Sequence, residues 1–332
     1  MNPSFLDLID LASERLGSVV VAANDEFFAP KDNLIRPEPP QWREGEYTDR
    51  GKWMDGWETR RRREAGDDWC IIRLGVAGIA RGVDVETTHF KGNYPEACAI
   101  DAANLPSEVR PERDGAYDAR WIEILPRTPL TGDAHNLFAV ETAIAATHVR
   151  LRIFPDGGVA RLRVYGDVVP DWGRLRRRGE VDLAAAEHGG LVAACSDMFF
   201  GSRHNLIMPG DATHMGDGWE TKRRRGPGHD WVILRLGLEA TIRRIEIDTA
   251  HFKGNYPDRC SIQAADVTGG TDDSLITQSM FWRTLLPEQK LEMDRPHQFQ
   301  KEVADIGAIT HVRLNIIPDG GVSRLRLLGE LV

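Results

Sequence analysis

The chain has no apolar run long enough to span a bilayer, and its opening Met1-Asn2-Pro3-Ser4-Phe5 has no basic cluster ahead of a hydrophobic stretch, because Asp7 and Asp10 interrupt the apolar residues that follow. Secretion and membrane insertion are therefore not expected, and a cytoplasmic location is. Cysteine is scarce: Cys70, Cys98, Cys195 and Cys260 are the only four among 332 residues, far apart and with no CxxC, which excludes a disulfide framework and a zinc knuckle. There is no excess of positive charge either. A formal net charge of −9 opposes a phosphate backbone, so nucleic acid is not an expected partner. Glycine-rich dinucleotide and P-loop signatures are missing, as are HxxE, HxH and HExxH spacings. What is present, 41% hydrophobic and 28% charged residues, is the composition of a globular protein with a packed core.

The sequence is also written twice. Asp10-Leu11-Ala12 and Asn33-Leu34-Ile35 recur as Asp182-Leu183-Ala184 and Asn205-Leu206-Ile207, at an offset of 172 residues. Asp55-Gly56-Trp57-Glu58-Thr59 recurs as Asp217-Gly218-Trp219-Glu220-Thr221, and His89-Phe90-Lys91-Gly92-Asn93-Tyr94-Pro95 recurs from His251 to Pro257, both at 162. Thr147-His148-Val149-Arg150-Leu151 and Pro155-Asp156-Gly157-Gly158-Val159 return at 163. Collinear blocks of this kind mean two copies of one fold. They define a first domain over residues 1–169, a linker over 170–181 and a second domain over 182–332. The drop in offset gives the first copy ten extra residues, expected around Pro37-Glu38-Pro39-Pro40.

Within each copy the dominant period is two. Val149, Leu151 and Ile153 alternate with Arg150 and Arg152, and Leu162 and Val164 with Arg161 and Arg163, as in a strand with one wet face; Val312-Leu314-Ile316 and Leu325-Leu327 keep the pattern. Strands are expected at residues 69–74, 80–88, 98–102, 120–125, 148–154 and 160–165. A short helix is expected to open each copy, from Ser4 and Asp7 before Leu8, and from Asp182 with Gly189 as its stop. Many short strands with little helix predict an all-β fold of two tandem antiparallel sandwiches or jelly rolls.

The segments Met54-Asp55-Gly56-Trp57-Glu58-Thr59-Arg60-Arg61-Arg62, Asp68-Trp69, Thr88-His89-Phe90-Lys91-Gly92-Asn93-Tyr94-Pro95 and Pro155-Asp156-Gly157-Gly158, with their second copies, resemble the allantoicase family. The resemblance covers nearly the whole chain. It implies two jelly-roll domains of the galactose-binding-like kind and hydrolysis of allantoate to ureidoglycolate and urea in purine catabolism. Lys222 replaces Arg60, Asp248 replaces Glu86 and Ala250 replaces Thr88, so the copies need not be equally active.

Allantoate carries a carboxylate and two ureido groups on one carbon, so a site must hold the anion, protonate a poor nitrogen leaving group and deliver water. Glu58 with His89, and Glu220 with His251, are the candidate acid–base pairs, since imidazole titrates near neutrality. For the anion the candidates are Arg60, Arg61, Arg62 and Lys91 in the first copy and Arg223, Arg224 and Lys253 in the second, with Asn93 and Asn255 beside them. Loss of urea to an acyl-imine followed by water addition is the expected course. A divalent metal is an open expectation, with His89 and Glu86 or His251 and Asp248 as its ligands. A small-molecule substrate and a homo-oligomer complete the expected partners.

Each motif also has a purely structural reading. Trp57, Trp69 and Phe90, with Trp219, Trp231 and Phe252, are read as core or loop anchors. Gly92-Asn93, Gly254-Asn255 and Asp156-Gly157-Gly158 are read as turns, and His148 and His311 as packed strand residues. The competing function is a tandem galactose-binding-like module that binds carbohydrate without turnover, or a catalytically silent scaffold.

Overall fold

Residues whose side chains alternate in polarity do form strands, and their apolar members make the core: Val149, Leu151, Ile153, Leu162 and Val164 are all fully buried. The computed structural model describes residues 3–106, 120–269 and 271–331. Two compact units divide the chain, Met1–Val169 and Pro170–Val332. Among the described residues no helix is long and apolar enough to cross a membrane.

In the first unit the strands are β1 (Ile9–Asp10), β2 (Val19–Ala23), β3 (Tyr47–Thr48), β4 (Gly51–Lys52), β5 (Trp57–Glu58), β6 (Asp68–Glu86), β7 (Ala97–Ala103), β8 (Ile122–Pro129), β9 (His135–Ala139), β10 (Ala145–Phe154), β11 (Gly158–Val159) and β12 (Arg161–Val168). The expected strands at 69–74 and 80–88 are two halves of the single 19-residue β6. Its first half pairs with β2 on one side and β10 on the other, and β10 continues to β7 and β8; its second half pairs with β9 and β12, and β12 with β1. One strand therefore serves both layers of an antiparallel sandwich.

The second unit begins with α1 (Trp172–Arg176), capped by Asp171, whose carboxylate accepts the Arg174 N–H at 2.8 Å. It then repeats the plan with β13 (Val181–Asp182), β14 (Leu191–Cys195), β15 (Trp219–Glu220), β16 (Asp230–Asp248), β17 (Arg259–Ala265), α2 (Asp272–Ser279), β18 (Arg283–Lys290), β19 (Pro296–Phe299), β20 (Ile309–Ile317), β21 (Gly321–Val322) and β22 (Arg324–Leu331). Again one 19-residue strand, β16, joins both layers.

Two sequence expectations are corrected. The opening helices are only single 3-10 turns, Ser4–Asp7 and Ala186–His188. Asp10 and Asp182 lie at strand ends and accept the N–H groups of Ala12 and Ala184, both at 3.1 Å, and those of Val164 and Leu327 at 3.0 and 2.9 Å. Pairing with the sheet satisfies those carboxylates better than a helix start.

The ten extra residues also lie elsewhere than Pro37-Glu38-Pro39-Pro40. Arg161 Nε donates to the Glu38 carbonyl as Arg324 Nε does to Gly210, both at 3.0 Å. Gln41 N–H meets Asp55 as Thr213 N–H meets Asp217. The offset of 172 thus persists to Gln41, and the insertion falls between Gln41 and Asp55, where it forms the β3–β4 hairpin.

Candidate active site

The most recognisable repeated motif is largely architectural. Along Asp55-Gly56-Trp57-Glu58-Thr59 the residues alternate inward and outward as β5 pairs with β11. Asp55 turns in to the guanidinium of Arg161, 2.9 Å away, in a pair almost wholly removed from solvent. Trp57 is fully buried and its indole N–H donates to the Asp25 carbonyl at 2.7 Å. Thr59 Oγ1 accepts the Gly157 N–H at 3.2 Å and so ties the motif to the turn after β10. Glu58 alone of these side chains turns toward a cleft.

The opposite wall is the turn that follows β6. Phe90 is fully buried with Met54 and Ala160, and it seats on Gly158, where an added Cβ would stand 2.0 Å from its ring. Only glycine admits that approach. Next to Phe90, His89 takes a left-handed φ of 73°, and its counterpart His251 one of 69°. Such conformations are unfavourable for residues with a side chain and collect at functional sites. Among the described residues the other two non-glycine positions of this kind are Asp133 (52°) and Asp294 (54°), the partners of these histidines. Asp133 Oδ1 accepts the His89 N–H at 2.8 Å, and Asp294 Oδ1 the His251 N–H at 2.7 Å. That backbone hydrogen bond is the main reason each aspartate titrates below the ordinary carboxylate range.

The resulting cleft has a volume of about 480 Å³ and is lined by Glu58, His89, Lys91 and Asn93 together with Trp42 and Lys52 from the inserted segment. Asn93 Nδ2 donates to Glu58 Oε1 at 2.7 Å. Burial raises the Glu58 carboxyl above its usual range, and the Asn93 amide offsets part of that rise. His89 Nε2 lies 3.2 Å from the Pro40 carbonyl. A carbonyl only accepts, so Nε2 holds a proton and, in the neutral ring, Nδ1 has the lone pair. Lys91 Nζ stands 3.7 Å from Asp133.

The second unit repeats these contacts: Asn255 with Glu220, His251 Nε2 at 2.9 Å from the Ala212 carbonyl, and Lys253 Nζ at 3.5 Å from Asp294. Asn255 also meets the sulfur of Met215 at 3.4 Å.

Arg60, Arg61 and Arg62 lie outside the lining of the first-repeat cleft, and Arg60, Arg62 and Arg224 are engaged elsewhere. Arg60 Nε pairs with Asp25 at 2.6 Å, Arg62 with Asp68 at 2.7 Å, and Arg224 with Asp230 at 2.6 Å. The backbone N–H groups of Arg62 and Arg224 are bound by Asp156 and Asp319. Nor does His89 join Glu86 in a ligand set: Glu86 accepts the Thr88 hydroxyl at 2.6 Å and faces His135 at 3.7 Å. Among the described residues no group of three or more His, Cys, Asp or Glu is arranged to hold a metal. Trp42, Lys52 and the two positioning aspartates escaped sequence reasoning. The ten-residue excess of the first copy was the available signal for Trp42 and Lys52; Asp133 and Asp294 fall outside every repeated block.

The model of a family described as the allantoicase repeat matches this chain twice, over residues 9–169 and 181–332. The "probable allantoicase 1" of Burkholderia mallei is 54% identical over 325 residues, spanning 97% of this chain and 94% of that protein. The "probable allantoicase" of Photobacterium profundum is 52% identical over 326 residues, spanning 98% and 97%. The crystal structure of allantoicase from Saccharomyces cerevisiae superposes with a TM-score of 0.82 at 37% identity, covering 97% of this chain and 92% of that one.

Proposed function

The chain belongs to the allantoicase family and hydrolyses allantoate to ureidoglycolate and urea, and from that premise we propose that the acid–base chemistry is performed by Glu58 and His89 in the first repeat and by Glu220 and His251 in the second. Whole-length identity to allantoicases sets aside the carbohydrate-binding alternative.

The observation that carries the assignment is the pairing, in one cleft, of a carboxyl raised by burial with an imidazole whose Nδ1 is the free acceptor. Protonated Glu58 donates to the ureido nitrogen that departs, the C–N bond breaks, and urea leaves. At the same time His89 takes the N–H proton of the retained ureido group, whose electron pair forms the C=N bond of an acyl-imine. Water then adds to that carbon. The Glu58 carboxylate takes a proton from the water, the histidine returns its own to the imine nitrogen, and both groups regain their starting states. Raising a carboxyl and fixing a histidine tautomer are general means of matching an acid and a base to neutral pH. Lys91 and Asn93 border the space the substrate occupies, and Lys253 and Asn255 do so in the second repeat.

The test is urea release by purified protein carrying Glu58→Gln and Glu220→Gln together, and by a second variant carrying His89→Ala and His251→Ala. Each is expected to lose about 10²-fold or more in kcat, the usual contribution of a positioned acid or base. Either double variant keeping kcat near wild type would remove that pair from the mechanism.

Cytoplasmic residence and a homo-oligomer belong to the same proposal. The four free thiols suit a reducing compartment, and Phe199 and Phe200, 70% and 62% exposed, offer apolar surface for a second copy.

A further inference from the structure

The mechanism above leaves the substrate's carboxylate without a committed partner. Lys91 stands beside Asp133, Arg60 and Arg62 are held by Asp25 and Asp68, and Arg61 is not among the residues that line the cleft. The cations of the inserted segment are engaged as well, with one exception. Arg43 pairs with Glu46 at 3.1 Å, and Arg50 donates to the Phe27 carbonyl at 3.1 Å. Lys52 borders the cleft, and its ammonium rests 3.8 Å from the centre of the Trp42 ring. Among the described residues it pairs with no carboxylate. Trp42 in turn lies against His89, ring centres 5.5 Å apart, so one aromatic side chain fixes Lys52 beside the acid–base pair.

The second repeat lacks the inserted segment. Residues 214–216 replace residues 42–54 and contain no lysine or arginine; the sulfur of Met215 meets Asn255 there instead.

We propose that Lys52, carried by the hairpin found only in the first repeat, is the cation that binds the carboxylate of allantoate, and that the first-repeat cleft is the more effective of the two sites. This rests on the placement of the acid–base pair given above. A ring face holds an ammonium without neutralising it, so Lys52 keeps its full charge for an incoming anion, whereas a carboxylate-paired lysine does not. Its contact is with a part of the substrate that does not react, so its loss weakens ground-state and transition-state binding alike and appears mainly in KM.

The experiment is steady-state urea release from allantoate by Lys52→Met, Lys52→Gln and Lys52→Arg, with circular dichroism to verify the fold. Lys52→Met and Lys52→Gln are expected to raise KM about tenfold or more with a smaller change in kcat, and Lys52→Arg to restore most of the loss, as a charge-assisted contact requires. Unchanged KM in a folded Lys52→Met or Lys52→Gln overturns the assignment. Single Glu58→Gln is expected to remove the larger part of the wild-type kcat/KM and Glu220→Gln the smaller; equal losses overturn the asymmetry between repeats. If the lysine variants behave as wild type while the paired glutamate variant is inactive, only the present inference falls. If the paired glutamate variant is active, the acid–base reading falls with it.

Discussion

At the scale of single residues, the cleft trades stability for chemistry. Glu58 is pushed above the ordinary carboxylate range by burial, so its ionisation opposes folding. Its contribution to stability is complete below the unfolded-state value, about 4.3 for glutamate, and is lost as pH rises through the higher folded-state value. Glutamine has no such loss, and its side-chain oxygen still accepts the Asn93 amide. Glu58→Gln is therefore expected to melt above wild type at pH 7 and to converge with it toward pH 4, as thermal denaturation at the two pH values will read. A variant less stable than wild type at pH 7 would refute the burial cost. Function lost with stability gained is a common mark of a residue kept for catalysis.

Among the elements, the β3–β4 hairpin distinguishes the two repeats. Among the described residues it makes no ladder with the sandwich: β3 pairs with β4 alone. Its attachments are side chains, with Phe28 against Gly51 and Arg50 over Phe27. The matching Phe199–Phe200 pair carries no such cover and stands exposed. Excising residues 43–52 leaves the first repeat with a connection of the second repeat's length, and a connection of three residues already spans that gap there. Loop closure changes slowly with length. The shortened protein is expected to keep its β-type circular dichroism and lose at most about 2 kcal/mol of stability, while KM for allantoate rises at least as far as in Lys52→Met. Collapse of the sandwich on excision would show that the hairpin belongs to the fold and not to the site.

For the whole molecule, each repeat is closed by its own buried ion pair. Arg161 reaches Asp55, Glu38 and Ala160, all in the first unit; Arg324 reaches Asp217, Gly210, Asn205 and Ser323, all in the second. Removing one member of such a pair strands the other in a low dielectric at a cost of about 3–5 kcal/mol. Arg161→Met and Arg324→Met are each expected to destabilise by about that much in denaturant unfolding, and, with no partner in common among these contacts, to add in the double variant. A double variant losing clearly more or less than the sum would reveal coupling between the pairs.

The sequence by itself determined that the fold is a duplicated antiparallel sandwich, because alternation with a period of two and repeated blocks are local properties of the chain. It also placed Glu58, His89, Lys91 and Asn93 on the candidate roll, since each lies in a repeated motif. It misjudged where the insertion falls, because past Pro37 and its counterpart Pro209 the register as far as Gln41 is carried by shared contacts and not by identical letters. Tertiary structure alone decided that Arg60, Arg62 and Arg224 are held by aspartates, that Asp133 and Asp294 hold the strained histidines, and that Lys52 reaches the cleft. Those outcomes depend on which charges meet once residues 25 to 133 of the first repeat and 224 to 294 of the second are folded, and no spacing along the chain records that distance.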